Sequence, residues 1–158
     1  AGFHASVGFA AVMVAYARYF DPEEVMNAGH LVETMIGIFF GAMTLTGSIV
    51  ACGKLQGVIR SKALLLPFRH WINGGICVGS VILTVYLCIV GKGTTGGTVC
   101  IGIETGVCLY LGWALVMSIG GADMPVVVSM LNSYSGWTTV ACGFMLSNTI
   151  LIIAPKKI

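Results

Sequence analysis

The chain reads as long apolar stretches separated by short polar breaks, and the stretches are continuous rather than alternating. Apolar runs near or above roughly 20 residues predict helices that cross a bilayer, because each residue adds about 1.5 Å against a hydrocarbon core about 30 Å thick. Five helices are predicted, at about 3–20, 31–52, 68–90, 99–119 and 125–147. The first is broken by Asp21-Pro22-Glu23-Glu24, which cannot continue a buried helix. The fifth opens near Pro125, where the missing N–H would be unpaired in any case. It either stops near Ser147-Asn148 or runs on through Ile150 to Ala154. Barrel strands would instead alternate apolar and polar over roughly ten residues.

Composition fixes the solvent. Of 158 residues, 57% are hydrophobic and only 9% charged, against roughly 25% charged in an ordinary soluble domain. The expectation is an all-α integral membrane protein, a single transmembrane domain over 1–158 with about five helices in a glycine-rich bundle and no nucleotide-binding domain. The first stretch is not a signal peptide, because it lacks a basic start and is interrupted by His4 and Arg18. Many of the 22 glycines fall at four-residue spacing: Gly37 and Gly41, Gly75 and Gly79, Gly102 and Gly106. Small residues so spaced let helices approach closely in lipid, either within one bundle or against a partner subunit. The six cysteines show no CxxC or metal-ligand spacing and read as small buried residues.

Charge orients the bundle weakly. The loop from Gly53 to Pro67 with Arg69 carries Lys54, Arg60, Lys62 and Arg69, which the positive-inside rule places in the cytoplasm or its organellar equivalent. Arg18, Lys92, Lys156 and Lys157 fall on the other side of a five-helix reading. Setting aside the two terminal lysines puts the loop inside, together with the N-terminus and the Gly120-Gly121 turn.

Polar groups in hydrocarbon are costly unless paired or facing a cavity, so each is a candidate for function. His4, in the first turn of the first helix, is either an interfacial histidine or a proton acceptor, since imidazole titrates near neutral pH. Glu33 lies at the start of the second helix, where a carboxylate complements the helix dipole. Glu104 is deeper, two turns into the fourth helix, and suits either a proton path or a structural pairing. Asp123 precedes the fifth helix and suits an N-cap. Asn132 lies two turns inside that helix, and Ser129, Asn132, Ser133 and Gly136 follow the spacing of one helical face. That face lines a cavity or bonds to another helix. Soluble catalysis finds no support: there is no GxGxxG in strand-helix context, no Walker loop, no HExxH and no GxSxG. Gly91-Lys92-Gly93-Thr94-Thr95 joins two membrane helices without a preceding strand and reads as a turn.

Three blocks carry a resemblance: GGADMPVVVSMLNSYSGW from Gly120 to Trp137, GKLQGVIRSKALLLPFRHWIN from Gly53 to Asn73, and TLTGSIVACGKLQG from Thr44 to Gly57. Together they resemble the membrane domain of proton-translocating NAD(P) transhydrogenases, in the portion that precedes the NADP-binding domain. The likeness extends from His4 to about Asn148. It implies a mitochondrial inner membrane or bacterial plasma membrane location. It also implies a membrane portion, without catalytic residues or bound cofactor of its own, that couples proton movement to hydride transfer between NAD and NADP held on partner domains. His4 matches the family's membrane histidine, Asn132 its channel asparagine, and Asp123 the acid facing the NADP-binding domain. With Asn132, the neighbouring Ser129 and Ser133 complete the expected proton path.

Two departures stand out. Ala5 occupies the place where relatives usually carry serine, and the chain ends at SNTILIIAPKKI, where the family continues into another helix. Two readings follow. The chain is part of a working transhydrogenase, completed by further membrane helices and nucleotide-binding domains in an oligomer, or it is a transhydrogenase-derived scaffold subunit of a respiratory complex. Lipid is a partner in both; nucleic acid is in neither.

Overall fold

The structure is a computed structural model that describes residues 2–22, 27–64 and 67–146. Its regular elements are the helices α1 (Gly2–Phe20), α2 (Ala28–Leu55), α3 (Arg69–Val90), α4 (Thr95–Met117) and α5 (Met124–Met145), with a 3-10 turn at Gly121–Asp123 leading into α5. The protein is an all-helical membrane protein. Helices α2, α3 and α4 are long and apolar enough to span a bilayer. At 19 and 22 residues, α1 and α5 reach about 28 and 33 Å but are interrupted by more polar residues.

Helix ends depart from the hydropathy boundaries for a simple reason. Backbone hydrogen bonding continues past the point where side chains stop being apolar, so α2 starts at Ala28 rather than Leu31 and continues to Leu55, and α4 starts at Thr95. Gly91 and Gly93 make the α3–α4 turn at φ 79° and 85°, values that glycine adopts without strain. The α5 helix is described to Met145, with Leu146 as its C-cap. Ser147-Asn148, Ile150 to Ala154, Glu23, Glu24, Lys156 and Lys157 lie outside the described residues.

The longest helix, α2, is the axis of the bundle and packs against all four others, while α3 lies on the outside against α4 and, more lightly, α2. Two apolar cores sit towards opposite ends of α2. One gathers Tyr19, Leu31, Met35, Ile38, Leu87, Ile101 and Met145. The other gathers Val50, Ala51, Val116, Met124, Val127 and Leu131. Between them is a waist of small residues. A Cβ on Gly8 would stand 2.6 Å from the Gly41 carbonyl oxygen and 2.8 Å from the Leu45 nitrogen, so α1 and α2 meet backbone to backbone there. On the other side of α2, Gly112 lies against the Met43 backbone and the Thr46 hydroxyl. Thr46 Oγ1 also donates across the helix pair to the Leu109 carbonyl at 2.9 Å.

The glycine spacing therefore divides into two classes. Gly37 and Gly41 pack inside the bundle, but a Cβ on Gly75, Gly79, Gly102 or Gly106 would meet nothing within 4 Å. Identical spacing on α3 and α4 points outward, because spacing fixes which residues share a face and not what that face touches.

Candidate functional site

Helices α1 and α5 form a cleft of about 510 Å³ at the level of the waist, lined by Phe3, His4, Val7, Asn132, Ser133, Ser135, Gly136, Trp137, Thr139 and Val140. The α5 helix begins at Met124, so Asn132 lies about 12 Å along it. His4 is brought to that depth by the Gly8–Gly41 contact, one turn further along α1. Its place in the first turn of α1 leaves an interfacial histidine open; the fold adds that it shares the cleft with Asn132, two turns inside α5.

The α5 wall is shaped by local hydrogen bonds. Ser135 Oγ donates to the Asn132 carbonyl at 2.9 Å, and Thr139 Oγ1 to the Ser135 carbonyl at 2.8 Å. These hydroxyls are thus engaged by their own helix, while the side chains of Asn132 and Ser133 are exposed and His4 is half-buried. The exposed amide and hydroxyl, with the half-buried imidazole across from them, leave donors and acceptors available at the open cleft. Trp137 forms part of the rim and stacks on Phe40 of α2, with centroids 6.1 Å apart and planes at 18°.

The other sequence candidates fall elsewhere. Ser129 is exposed one turn nearer the start of α5 and is not among the cleft residues. Asp123 occupies the N-cap position of α5 without a side-chain capping hydrogen bond, and it is exposed. Its carboxylate is therefore presented at the bundle end rather than spent on the helix. Glu33 pairs with His30 Nδ1 at 3.2 Å.

Glu104 is fully buried. Its Oε1 accepts from Ser80 Oγ of α3 and from Cys108 Sγ at 3.4 Å, and its Oε2 has no protein partner. The structural-pairing option for Glu104 thus has a physical partner, one that joins α3 to α4 away from the cleft. Among the described residues, no group of three His, Cys, Asp or Glu side chains is arranged to hold a metal ion, and all six cysteines are free thiols.

Three residues of the waist and loop end were not singled out by the sequence. Thr44 and Ser48 are fully buried on α2, one turn apart, and their hydroxyls make no protein hydrogen bond. The signal available was their i, i+4 spacing within the TLTGSIV block. Lys54, read as a loop charge, instead lies in the last turn of α2 and is only 3% exposed. Its ammonium donates to the carbonyls of Val116, Met117 and Ile119 at 3.0, 3.2 and 2.8 Å.

Comparison with known proteins bears on this geometry. The family described as NAD(P) transhydrogenase beta subunit matches residues 1–156. Two relatives, each named NAD(P) transhydrogenase subunit beta and each from Rhodospirillum rubrum, are 44% identical over 161 residues, which covers 98% of this chain and 34% of the relative. The chain thus spans about a third of the length of the relatives it matches.

Proposed function

The chain belongs to the NAD(P) transhydrogenase beta subunit family, and on that premise we propose that it is the membrane portion of a proton-translocating transhydrogenase. In this reading it couples proton movement to hydride transfer between NAD(H) and NADP(H) held on other domains. The observation that carries the proposal is the cleft shared by His4, Asn132 and Ser133. An exposed amide some 12 Å along a membrane helix is costly against lipid, so the cleft calls for water or protein cover. Covered, it supplies what a proton step needs. The imidazole accepts and releases the proton, and the Asn132 amide and Ser133 hydroxyl hold a hydrogen-bonded water chain against it. Ser129, one turn towards the start of α5, extends that polar face towards the membrane edge.

Asp123, exposed and uncommitted at the same end, is the contact for the NADP-binding domain. This portion holds no nucleotide itself, and its partners are the lipid bilayer, the remaining membrane helices and the nucleotide-binding domains of an oligomeric enzyme. The setting is the bacterial plasma membrane or the mitochondrial inner membrane. The scaffold alternative draws on the Ala5 departure, whereas the retained His4, Asp123 and Asn132 and the cleft that two of them share favour the enzyme.

The test is His4→Ala and Asn132→Ala in the complete membrane-bound enzyme, with hydride transfer and proton uptake followed together. The expected result is loss of proton-coupled transhydrogenation, with both nucleotides still bound. Proton-coupled rates equal to the parent in both variants would eliminate the cleft as the proton path. Copurification with respiratory-chain subunits and no nucleotide-binding domains would establish the scaffold reading instead.

A further inference from the structure

Lysine is among the residues least often buried, and an ammonium taken out of water persists only where it is paired. Lys54 has no carboxylate in its hydrogen-bond set; its three donors go to three carbonyls at the end of α4. The last four carbonyls of a helix have no partner within it, and they carry the negative end of the helix dipole. At α4 all four are engaged. Ala114 accepts from the Ser118 amide, Leu115 from the Ser118 hydroxyl, Val116 from Lys54 and the Ile119 amide, and Met117 from Lys54 and the Leu64 amide. The ammonium therefore ties the end of α2 to the end of α4.

Two further ties close the same junction. The Leu64 amide reaches the Met117 carbonyl at 2.9 Å, and the Gly121 amide reaches the Ser61 carbonyl at 2.8 Å. No side chain fits at Gly121, where a Cβ would stand 2.7 Å from Ser61 Cβ. Ile59 folds back onto Gly53 and packs against the core of Val116, Met124 and Val127. The loop after α2 and the turn before α5 thus form one body, and Asp123 sits at its exposed edge.

We propose that Lys54 is the positioning residue that sets the register of α5 against α1, and so couples the Asp123 turn to the His4–Asn132 cleft. The inference rests on the transhydrogenase reading. Both walls of the cleft pack on α2: α1 through the backbone contact of Gly8 with Gly41, and α5 along its length, as in the Trp137–Phe40 stack, with the turn at its start held through the Lys54 junction. Asn132 follows Asp123 along one helix, about 13 Å away. A push or pull on the Asp123 turn therefore reaches Asn132 as a displacement against His4. The buried ammonium determines how stiffly the turn is held to the reference helix.

The experiment uses Lys54→Met, which keeps the stem and removes charge and donors, and Lys54→Arg, which keeps both charge and donors. Gly121→Ala serves as a second, independent way to loosen the junction. In the complete membrane-bound enzyme, amide hydrogen exchange is measured over residues 59–64 and 118–124, and protons translocated per hydride transferred are measured alongside nucleotide binding. Lys54→Met is expected to speed exchange in both segments by roughly 10- to 100-fold, the loss of a charge-assisted hydrogen-bond set. It should lower the proton yield per hydride with nucleotide affinity retained. Lys54→Arg restores more than half of both effects, and Gly121→Ala moves both in the direction of Lys54→Met.

Unchanged exchange in Lys54→Met overturns the junction. Faster exchange with an unchanged proton yield reduces Lys54 to a structural anchor and overturns the coupling role. The exchange arm does not depend on the cleft's function, so an unaltered proton yield in Asn132→Ala would mark failure of the transhydrogenase proton path rather than of the clamp.

Discussion

Gly8→Ala isolates the contact on which the cleft depends. The new methyl would stand 2.6 Å from the Gly41 carbonyl oxygen, where ordinary contact begins at 3.4 Å, so α1 must withdraw by about 0.8 Å. The obstructing atoms belong to backbone, and no side-chain rotation relieves them. Overpacking of this kind costs about 1–3 kcal/mol, while replacing a helical glycine by alanine returns about 1 kcal/mol. The net loss is roughly 0–2 kcal/mol, or at most about 4–8 °C in unfolding midpoint for a chain of this size.

Gly79→Ala is the matched control. A Cβ there meets nothing within 4 Å, so only the propensity gain remains and the midpoint should hold or rise. Thermal unfolding in detergent separates the two variants, read by a thiol-reactive dye in a background where the exposed Cys77 and the partly buried Cys52, Cys88 and Cys142 are replaced by serine or alanine, so that the signal comes from the buried Cys100 and Cys108. Function is the more sensitive readout, because His4 lies one turn from the displaced contact and a misplacement near 1 Å at a reacting centre costs about 100-fold. In the complete enzyme, Gly8→Ala should lose proton-coupled rate out of proportion to its stability. A midpoint for Gly8→Ala above that of Gly79→Ala, or an unaltered proton-coupled rate in Gly8→Ala, would refute the account of the waist.

Other hydrogen bonds give sharper, smaller tests. Thr46→Val removes the hydroxyl that bonds from α2 to the Leu109 carbonyl of α4 at 2.9 Å and back to the Ala42 carbonyl at 3.1 Å, and should destabilise by about 0.6 kcal/mol, with about 1.7 as the upper end; no midpoint change would mean the hydroxyl adds nothing to the α2–α4 contact. Tyr16→Phe removes the 2.7 Å contact with Thr105 Oγ1 and should cost a similar amount, measured in the same unfolding assay. Glu104→Gln preserves an acceptor for Ser80 and should unfold near the parent midpoint, whereas Glu104→Ala leaves the buried Ser80 hydroxyl without its partner and should cost about 1–3 kcal/mol. If Glu104→Gln alone abolished proton-coupled activity with stability intact, the carboxyl would have a chemical role beyond joining α3 to α4.

Legibility followed the kind of information each residue carries. Asn132 and Ser133 were readable because two polar residues at the start of a helical turn stand out in an apolar segment. Ser129 shares that face by spacing, yet it is not among the residues that line the cleft. His4 was ambiguous because position in its own helix says nothing about depth when neighbouring helices are offset. Glu104 left two options open in one dimension, and the third supplied Ser80 and Cys108. Lys54 was misplaced because hydropathy ends a helix where charge begins, while the backbone carried α2 one turn further and buried the charge against α4.

The chain by itself determined its solvent, the order of the helices among the described residues and, through three long blocks, its family, because these follow from hydropathy and local identity along the sequence. Only the tertiary structure decided which faces meet. Helix rotation and offset are set by side-chain packing between segments distant in sequence, so the meeting of His4 with Asn132, the division of the glycines into packed and open pairs, and the capture of α4's last carbonyls by Lys54 exist only once α2 has gathered the other helices around it.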